Sequence, residues 1–180
     1  GLDWKNQIQA LRWNHELGPR MFSNVSMTHS VYNFNTGVDF QEQSISATDT
    51  IPTRFASLYR SGIEDYAAKI DVDFAPNARH FIRFGGNVTR HQFSPGALQF
   101  ELDFGQENPL DTLIGQGDLV SFEQYLYVED EIDVAENVTV NVGTHGSMLD
   151  VEDTTYFSLQ PRLALNWKFT PGWAFKASYA

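Results

Sequence analysis

Tyr156-Phe-Ser-Leu-Gln-Pro-Arg-Leu-Ala-Leu-Asn-Trp-Lys-Phe169, then Thr170-Pro-Gly172, then Trp173-Ala-Phe-Lys-Ala-Ser-Tyr-Ala180, is two alternating runs joined by a turn. In the first run Phe157, Leu159, Pro161, Leu163, Leu165, Trp167 and Phe169 occupy the odd positions, and Ser158, Gln160, Arg162, Asn166 and Lys168 the even ones. A period of two sends these sets to opposite faces of a sheet. The rings cluster beside the turn, as Trp167, Phe169, Trp173 and Phe175. Apolar residues on one face, polar residues on the other and aromatics at the turn make the pattern of a β-hairpin that crosses an outer membrane.

Composition leaves room for that reading. The chain has 180 residues, 42% of them hydrophobic, with 14 Phe, 7 Tyr, 4 Trp and no Cys. No apolar run reaches the ~18 residues of a membrane helix. The mean hydropathy of -0.34 does not exclude a membrane barrel, whose apolar residues occupy only alternate positions. Without cysteine there is neither a disulfide framework nor a thiolate metal site. The net charge of -11 argues against nucleic acid as a partner. Gly1-Leu-Asp-Trp-Lys5 lacks the basic and apolar regions of a signal peptide, so the expectation is a mature chain or a piece of a longer one.

Elsewhere the same period predicts eight strands of an all-β, antiparallel up-and-down meander. Short connections fall at Leu17–Arg20, Ala75–Arg79, Ala135–Asn137 and Thr170–Gly172, where Gly, Pro and Asn suit tight turns. Long acidic ones are expected at roughly 35–57, 94–119 and 150–155, carrying among others Asp39, Asp49, Glu101, Glu107, Asp118 and Asp153. Within the second, Phe100, Leu102 and Phe104 alternate with Glu101 and Asp103, which predicts a projecting strand. Short turns on one side and long loops on the other fit periplasmic turns and extracellular loops. Tyr66, Ala68, Ile70, Val72 and Phe74 oppose Asp65, Lys69, Asp71 and Asp73; Ile82, Phe84, Gly86 and Val88 oppose Arg83, Asn87, Thr89 and His91. Val138, Val140 and Val142 oppose Thr139, Asn141 and His145. His29 falls on the apolar side of 21–34, and Asp130 and Gln124 share a face with Leu126, Val128 and Ile132, so the registers of 120–134 and 4–16 stay open. A soluble sandwich would also alternate. The polar faces here mix Asn, Ser, Thr, Gln, Arg and Asp with Gly85 and Gly143, which suits a hydrated lumen better than a sandwich exterior.

Several segments together resemble one family. Leu11-Arg-Trp-Asn-His15, Met21-Phe-Ser-Asn24, Ser30-Val-Tyr32, Tyr127-Val-Glu-Asp-Glu-Ile132, Asn141-Val-Gly-Thr-His145, Gln160-Pro-Arg-Leu163 and Lys176-Ala-Ser-Tyr179, in that order, are similar to the TonB-dependent outer-membrane receptors of Gram-negative bacteria. Where that family often has Gly-x-Arg, this chain has Gly143-Thr-His145, so a role carried by that arginine is void here. The resemblance implies a barrel of about 22 strands closed by an N-terminal plug. Residues 1–180 would then be about a third of the wall, without the plug. It further implies outer-membrane lipid, the plug, the remaining strands and, through the absent N-terminal region, TonB as partners. The cargo would be a bulky nutrient such as a metal chelate, a cobalamin or a glycan.

On this reading Asp65, Lys69, Asp71, Arg83, Asn87, His91, His145, Gln160, Arg162, Asn166 and Lys168 face the lumen, toward substrate or plug. Phe74, Phe84, Trp167, Phe169, Trp173 and Phe175 form the lipid-facing girdle. The bland alternative for each charged residue is a charge-balanced barrel interior. The acidic loops contain no Asp-x-Asp-x-Asp-Gly sequence, and the five His residues lack ligand spacing, so neither a metal nor a cofactor is expected. Asn24, Asn87 and Asn137 head formal glycosylation sequons, which in a bacterial barrel are strand positions. With no Gly-x-Ser-x-Gly elbow, phosphate loop or dinucleotide fingerprint, no enzyme activity is expected. The rival reading is a self-contained eight-stranded barrel with a structural or adhesive role, in which the first and last strands would pair. A secreted carbohydrate-binding module would need exposed Trp or Tyr platforms on one polar face, whereas the Trp residues here fall near the turns or on the apolar faces, which disfavours it. An open arc in water exposes two strand edges, and aggregation without detergent is the expectation.

Overall fold

A computed structural model describes residues 1–45, 50–103, 110–115 and 117–180. Its elements are nine strands: β1 (Leu2–Gly18), β2 (Met21–Ile45), β3 (Thr50–Asn77), β4 (His80–Asp103), β5 (Leu110–Gly115), β6 (Leu119–Ala135), β7 (Val138–Val151), β8 (Thr154–Thr170) and β9 (Trp173–Tyr179). They form one sheet in the order β1-β2-β3-β4-β6-β7-β8-β9, with β5 paired to β4 off that path. The path runs from β1 to β9 without closing on itself, contrary to the eight-stranded barrel in which the end strands meet.

All four predicted short connections are turns. Asn77 shows how one is held, its Oδ1 accepting the backbone N–H of Arg79 at 2.9 Å. The expectation of a long loop at 150–155 is corrected. Val151 and Thr154 are already paired, leaving Glu152 and Asp153 as a two-residue turn with Glu152 at φ 51°. A carboxylate side chain in the left-handed region gave no glycine to mark it. The span expected as a loop at 35–57 is largely strand, since β2 runs to Ile45 and β3 starts at Thr50. Between 94 and 119, β4 continues to Asp103 and pairs with β5 in register from Ala97↔Gly115 to Leu102↔Leu110. The alternation around Glu101 and Asp103 is thus a strand, and its short partner makes nine strands where eight were expected. Asp49, Phe104 and Glu107 lie outside the described residues.

The packing is that of a two-faced sheet. Among the described residues Val72 is the one buried hydrophobic side chain, while Phe157, Leu126 and Trp173 are 74%, 73% and 72% exposed. A soluble domain of this length hides such side chains in a core. Contacts divide the chain into two compact units. The loop-side unit comprises Gly1–Ile8, Ser30–Asp65 and His91–Val120; the turn-side unit comprises Gln9–His29, Tyr66–Arg90 and Ser121–Ala180.

Within the loop-side unit, Arg54 on β3 bridges two strands, 2.8 Å from Asp39 on β2 and 3.3 Å from Glu101 on β4. Phe34 meets Tyr59 edge-on at 6.3 Å, and Phe55 lies 6.5 Å from Phe100. Gly96, at φ 118°, lies under the Tyr59 ring, and a Cβ there would come within 2.6 Å of that ring. Asp118 accepts hydrogen bonds from Ser94 Oγ and Gln92 Nε2, each at 2.8 Å.

Candidate functional site

The turn-side unit contains most of the residues expected to face the lumen. Residues directly opposite in an antiparallel pair share a face. Glu129, Gly143 and Arg162 lie in one row across β6, β7 and β8, and Tyr127, His145 and Gln160 in the next. Asp133, Thr139, Asn166 and Lys176 form a third row, and Lys168 lies opposite Ala174. His145, Gln160, Arg162 and Asn166 therefore share a polar face. The open register of β6 is settled by the same pairs, with Tyr127 and Glu129 on this face.

On β3 and β4 the face is joined by side-chain contacts. The Arg83 guanidinium lies 2.8 Å from Glu129 and its plane 5.7 Å from the Phe81 ring. Arg83 Nε has no aligned hydrogen bond despite that distance, so this contact is an ion pair alone. Lys69 lies 2.9 Å from Asp71, and the Tyr127 hydroxyl donates to Asp71 at 2.7 Å. Tyr127 on β6 thus reaches across β4 to β3. Gly85 permits it, because a Cβ there would lie 3.0 Å from the Tyr127 ring and closer still to the Ile70 carbonyl oxygen. On the opposite face Gly86 does the same for Leu126, which a Cβ would meet at 2.6 Å. Asn87 donates to Thr89 at 2.8 Å.

Toward β9 the face opens into a depression of about 650 Å³ lined by Glu129, Glu131, Asn141, Arg162, Asn166 and Lys176. Neither the Arg162 nor the Lys176 side chain meets a carboxylate among the described residues. Asn166 Oδ1 and His145 Nδ1 are sequestered from solvent without a hydrogen-bond partner, and the His145 ring packs at 4.9 Å on Tyr125. Of the expected set, Asp65 and His91 belong to the loop-side unit, where His91 Nδ1 lies 2.8 Å from Asp65 and its ring stacks on Phe93 at 5.7 Å.

On the other face, Val142, Leu163 and Tyr179 form one apolar row and Val138, Trp167 and Phe175 another. Trp167 and Phe169 approach to 5.5 Å beside the turn, where the register shifts between Lys168 and Thr170, and Trp173 lies opposite Thr170. Phe84 is exposed and Phe74 half-buried. His29 is explained by a partner the sequence did not disclose, for its ring stacks on Tyr66 at 4.4 Å. Among the described residues no three His, Asp or Glu side chains are placed to hold a metal ion.

The family described as "TonB dependent receptor-like, beta-barrel" matches residues 1–180. No curated protein matches. Among solved structures, the chain is similar to BauA, the ferric preacinetobactin receptor of Acinetobacter baumannii, at TM-score 0.60 and 10% identity, over 94% of this chain and 29% of that one. It is also similar to the FrpB iron transporter of Neisseria meningitidis (F5-1 variant), at TM-score 0.52 and 10% identity, over 98% of this chain and 36% of that one. The chain therefore spans about a third of the length of these structures.

Proposed function

This chain belongs to the TonB-dependent receptors, as a stretch of their β-barrel, and on that premise we propose that it is wall of an outer-membrane transporter for energy-coupled uptake of a bulky nutrient. The observation that carries the reading is the open meander with one apolar face and one polar face. The apolar face, with its rings beside the short turns, is set against lipid of a Gram-negative outer membrane. The polar face lines a wet lumen, where Asp71, Arg83 and Arg162 meet the plug or the passing cargo. TonB acts through a segment N-terminal to the barrel, and the chain itself performs no catalysis.

Ferric chelates are the first cargo to test, since the two structures sharing the fold are named as a ferric preacinetobactin receptor and an iron transporter. At 10% identity that likeness extends to the fold alone, so cobalamin and glycans belong in the same panel. The experiment is uptake of radiolabelled cargo by cells lacking the full-length receptor, with and without TonB. Uptake of one cargo is expected to disappear in both backgrounds and to return with the full-length gene only where TonB is present. Unchanged uptake of every cargo, or uptake indifferent to TonB, overturns the proposal.

A further inference from the structure

A groove of about 610 Å³ crosses the apolar face of the turn-side unit. It runs over six adjoining strands, past Val25 on β2, Ile70 on β3, Val88 on β4, Leu126 on β6, Met148 on β7 and Phe157 on β8. Leu126 is paired with Gly146, on the face opposite to Tyr127. Gly86 and Gly146 leave the floor bare, while the exposed Leu126 and Phe157 stand beside it. Strands lie about 4.8 Å apart, so the groove is roughly 24 Å long and about 25 Å² in cross-section. That admits a single chain of methylenes and is too narrow for an α-helix, which is ~10 Å across. Gln124 also lines it, opposite Met148 and toward the Glu152-Asp153 turn. Its carboxamide is open to the groove and has no hydrogen-bond partner among the described residues. An amide without a partner is unfavourable against lipid.

We propose that the groove holds one acyl chain of an outer-leaflet lipid whose chain is joined to its headgroup by an amide. The lipid N–H donates to Gln124 Oε1, and Gln124 Nε2 donates to the lipid carbonyl. An ester, having no N–H, completes only half of that pair. From Gln124 the chain runs past Gly146 and Gly86 toward Val25, lying at a slant in a leaflet ~15 Å deep. The outer leaflet follows from the place of Gln124 toward the loop-side ends of the strands, which are extracellular in such barrels. Neither partner titrates, so the contact needs no particular protonation state. The inference rests on the outer-membrane reading above, because it needs this face to meet lipid.

The test uses the full-length receptor in nanodiscs that mix phosphatidylcholine equally with its analogue carrying an amide in place of one ester, the two told apart by deuterated chains. Native mass spectrometry reads the lipid retained on release. Resistance of the receptor to carbonate extraction from cell membranes is measured first. Extraction would overturn the membrane reading and this inference with it, whereas the lipid results bear on the groove alone. Wild type is expected to keep one lipid and to prefer the amide about fivefold, the effect of one hydrogen bond. Gln124→Leu is expected to keep a lipid and lose the preference. Gly146→Val fills the groove without strain, since a Cβ there meets only Leu159, at an ordinary 3.8 Å, and a β-branched residue suits a strand. It is expected to lose the lipid at unchanged heat-modifiable migration. Equal retention of the two lipids by wild type, a preference that survives Gln124→Leu, or a lipid that survives Gly146→Val overturns the site. So does a receptor dimer that Gly146→Val dissociates, which would make a second copy the occupant.

Discussion

Strands β3, β4 and β6 and strands β8 and β9 present the same mix of side chains on the polar face but dispose of their charges differently. In the first group Lys69 is matched by Asp71, which also accepts from Tyr127, and Arg83 is matched by Glu129. In the second, Arg162 and Lys176 line a depression together with Glu129 and Glu131 yet form no ion pair among the described residues, and Asn166 keeps an unpartnered oxygen. In the first group the cations are ion-paired within the sheet; in the second they are not. An exposed cation in water costs little, whereas one covered by apolar surface costs several kcal/mol. Whatever lies against β8 and β9 must therefore be wet or must bring acceptors of its own.

The sharpest way to break this comparison is at Gly85. Gly85→Val places a side chain where Tyr127 crosses β4, and is expected to destabilise the full-length barrel by roughly 2–4 kcal/mol through overpacking and loss of the Asp71 bond. Heat-modifiable migration or urea unfolding in detergent measures it, and a wild-type midpoint would show that the crossing contributes nothing. The next effect is the difference between two arginines. Arg83→Ala is expected to cost about 1 kcal/mol by stranding Glu129, and Arg162→Ala less than about 0.5 kcal/mol in barrel lacking its plug. Equal losses would erase the distinction between the two groups.

A control touches neither group. Glu152→Gly relieves the left-handed backbone of the β7–β8 turn and is expected to stabilise by up to ~1 kcal/mol, offset in part by the entropy of glycine. If it also changed the Arg83–Glu129 coupling in a double-mutant cycle, the strands would not be independent enough to compare. The smallest effect lies in the loop-side unit. Hydrogen bonding from Arg54 holds the Asp39 carboxyl below its ordinary 3.8, and Ser94 and Gln92 do the same for Asp118. A depressed native pKa contributes stability that is full above the unfolded value and lost as pH falls below 3.8 and through the native value. Amide exchange around Ser94 should quicken over that window in wild type. In Asp118→Asn, that part of the pH dependence should be absent.

How much of this was legible in the sequence depended on where each partner sits along the chain. The β8–β9 hairpin announced itself, because its partners are neighbours and Pro171-Gly172 marks the turn. The register of β6 did not. Asp130 on an apolar face makes sense only beside His80, and Tyr127 only beside Gly85 and Asp71, all more than 40 positions earlier. His29 likewise needed Tyr66. The spans expected as loops turned out to be largely strand because their Gly, Pro and acidic residues read as connection, although Phe100 and Leu102 alternating with Glu101 and Asp103 already marked a strand in the second of them. Of the candidate site, the polar set on β8 was readable from parity alone. The division into matched and unmatched charges was not, since it depends on contacts between strands rather than on any one of them.

The crossing of Tyr127 over Gly85 has a consequence for how the wall is assembled. Most neighbouring strands in this sheet are joined by two-residue turns, which set their own alignment. β4 and β6 have no such device, for β5 and its flanking segments intervene. A slip of one residue between them would swing Tyr127 to the other face, and a slip of two would move its ring off the bare backbone of Gly85 and away from Asp71. Gly85 is thus a keyhole and Tyr127 its key, and together they index a joint in the sheet that no tight hairpin aligns.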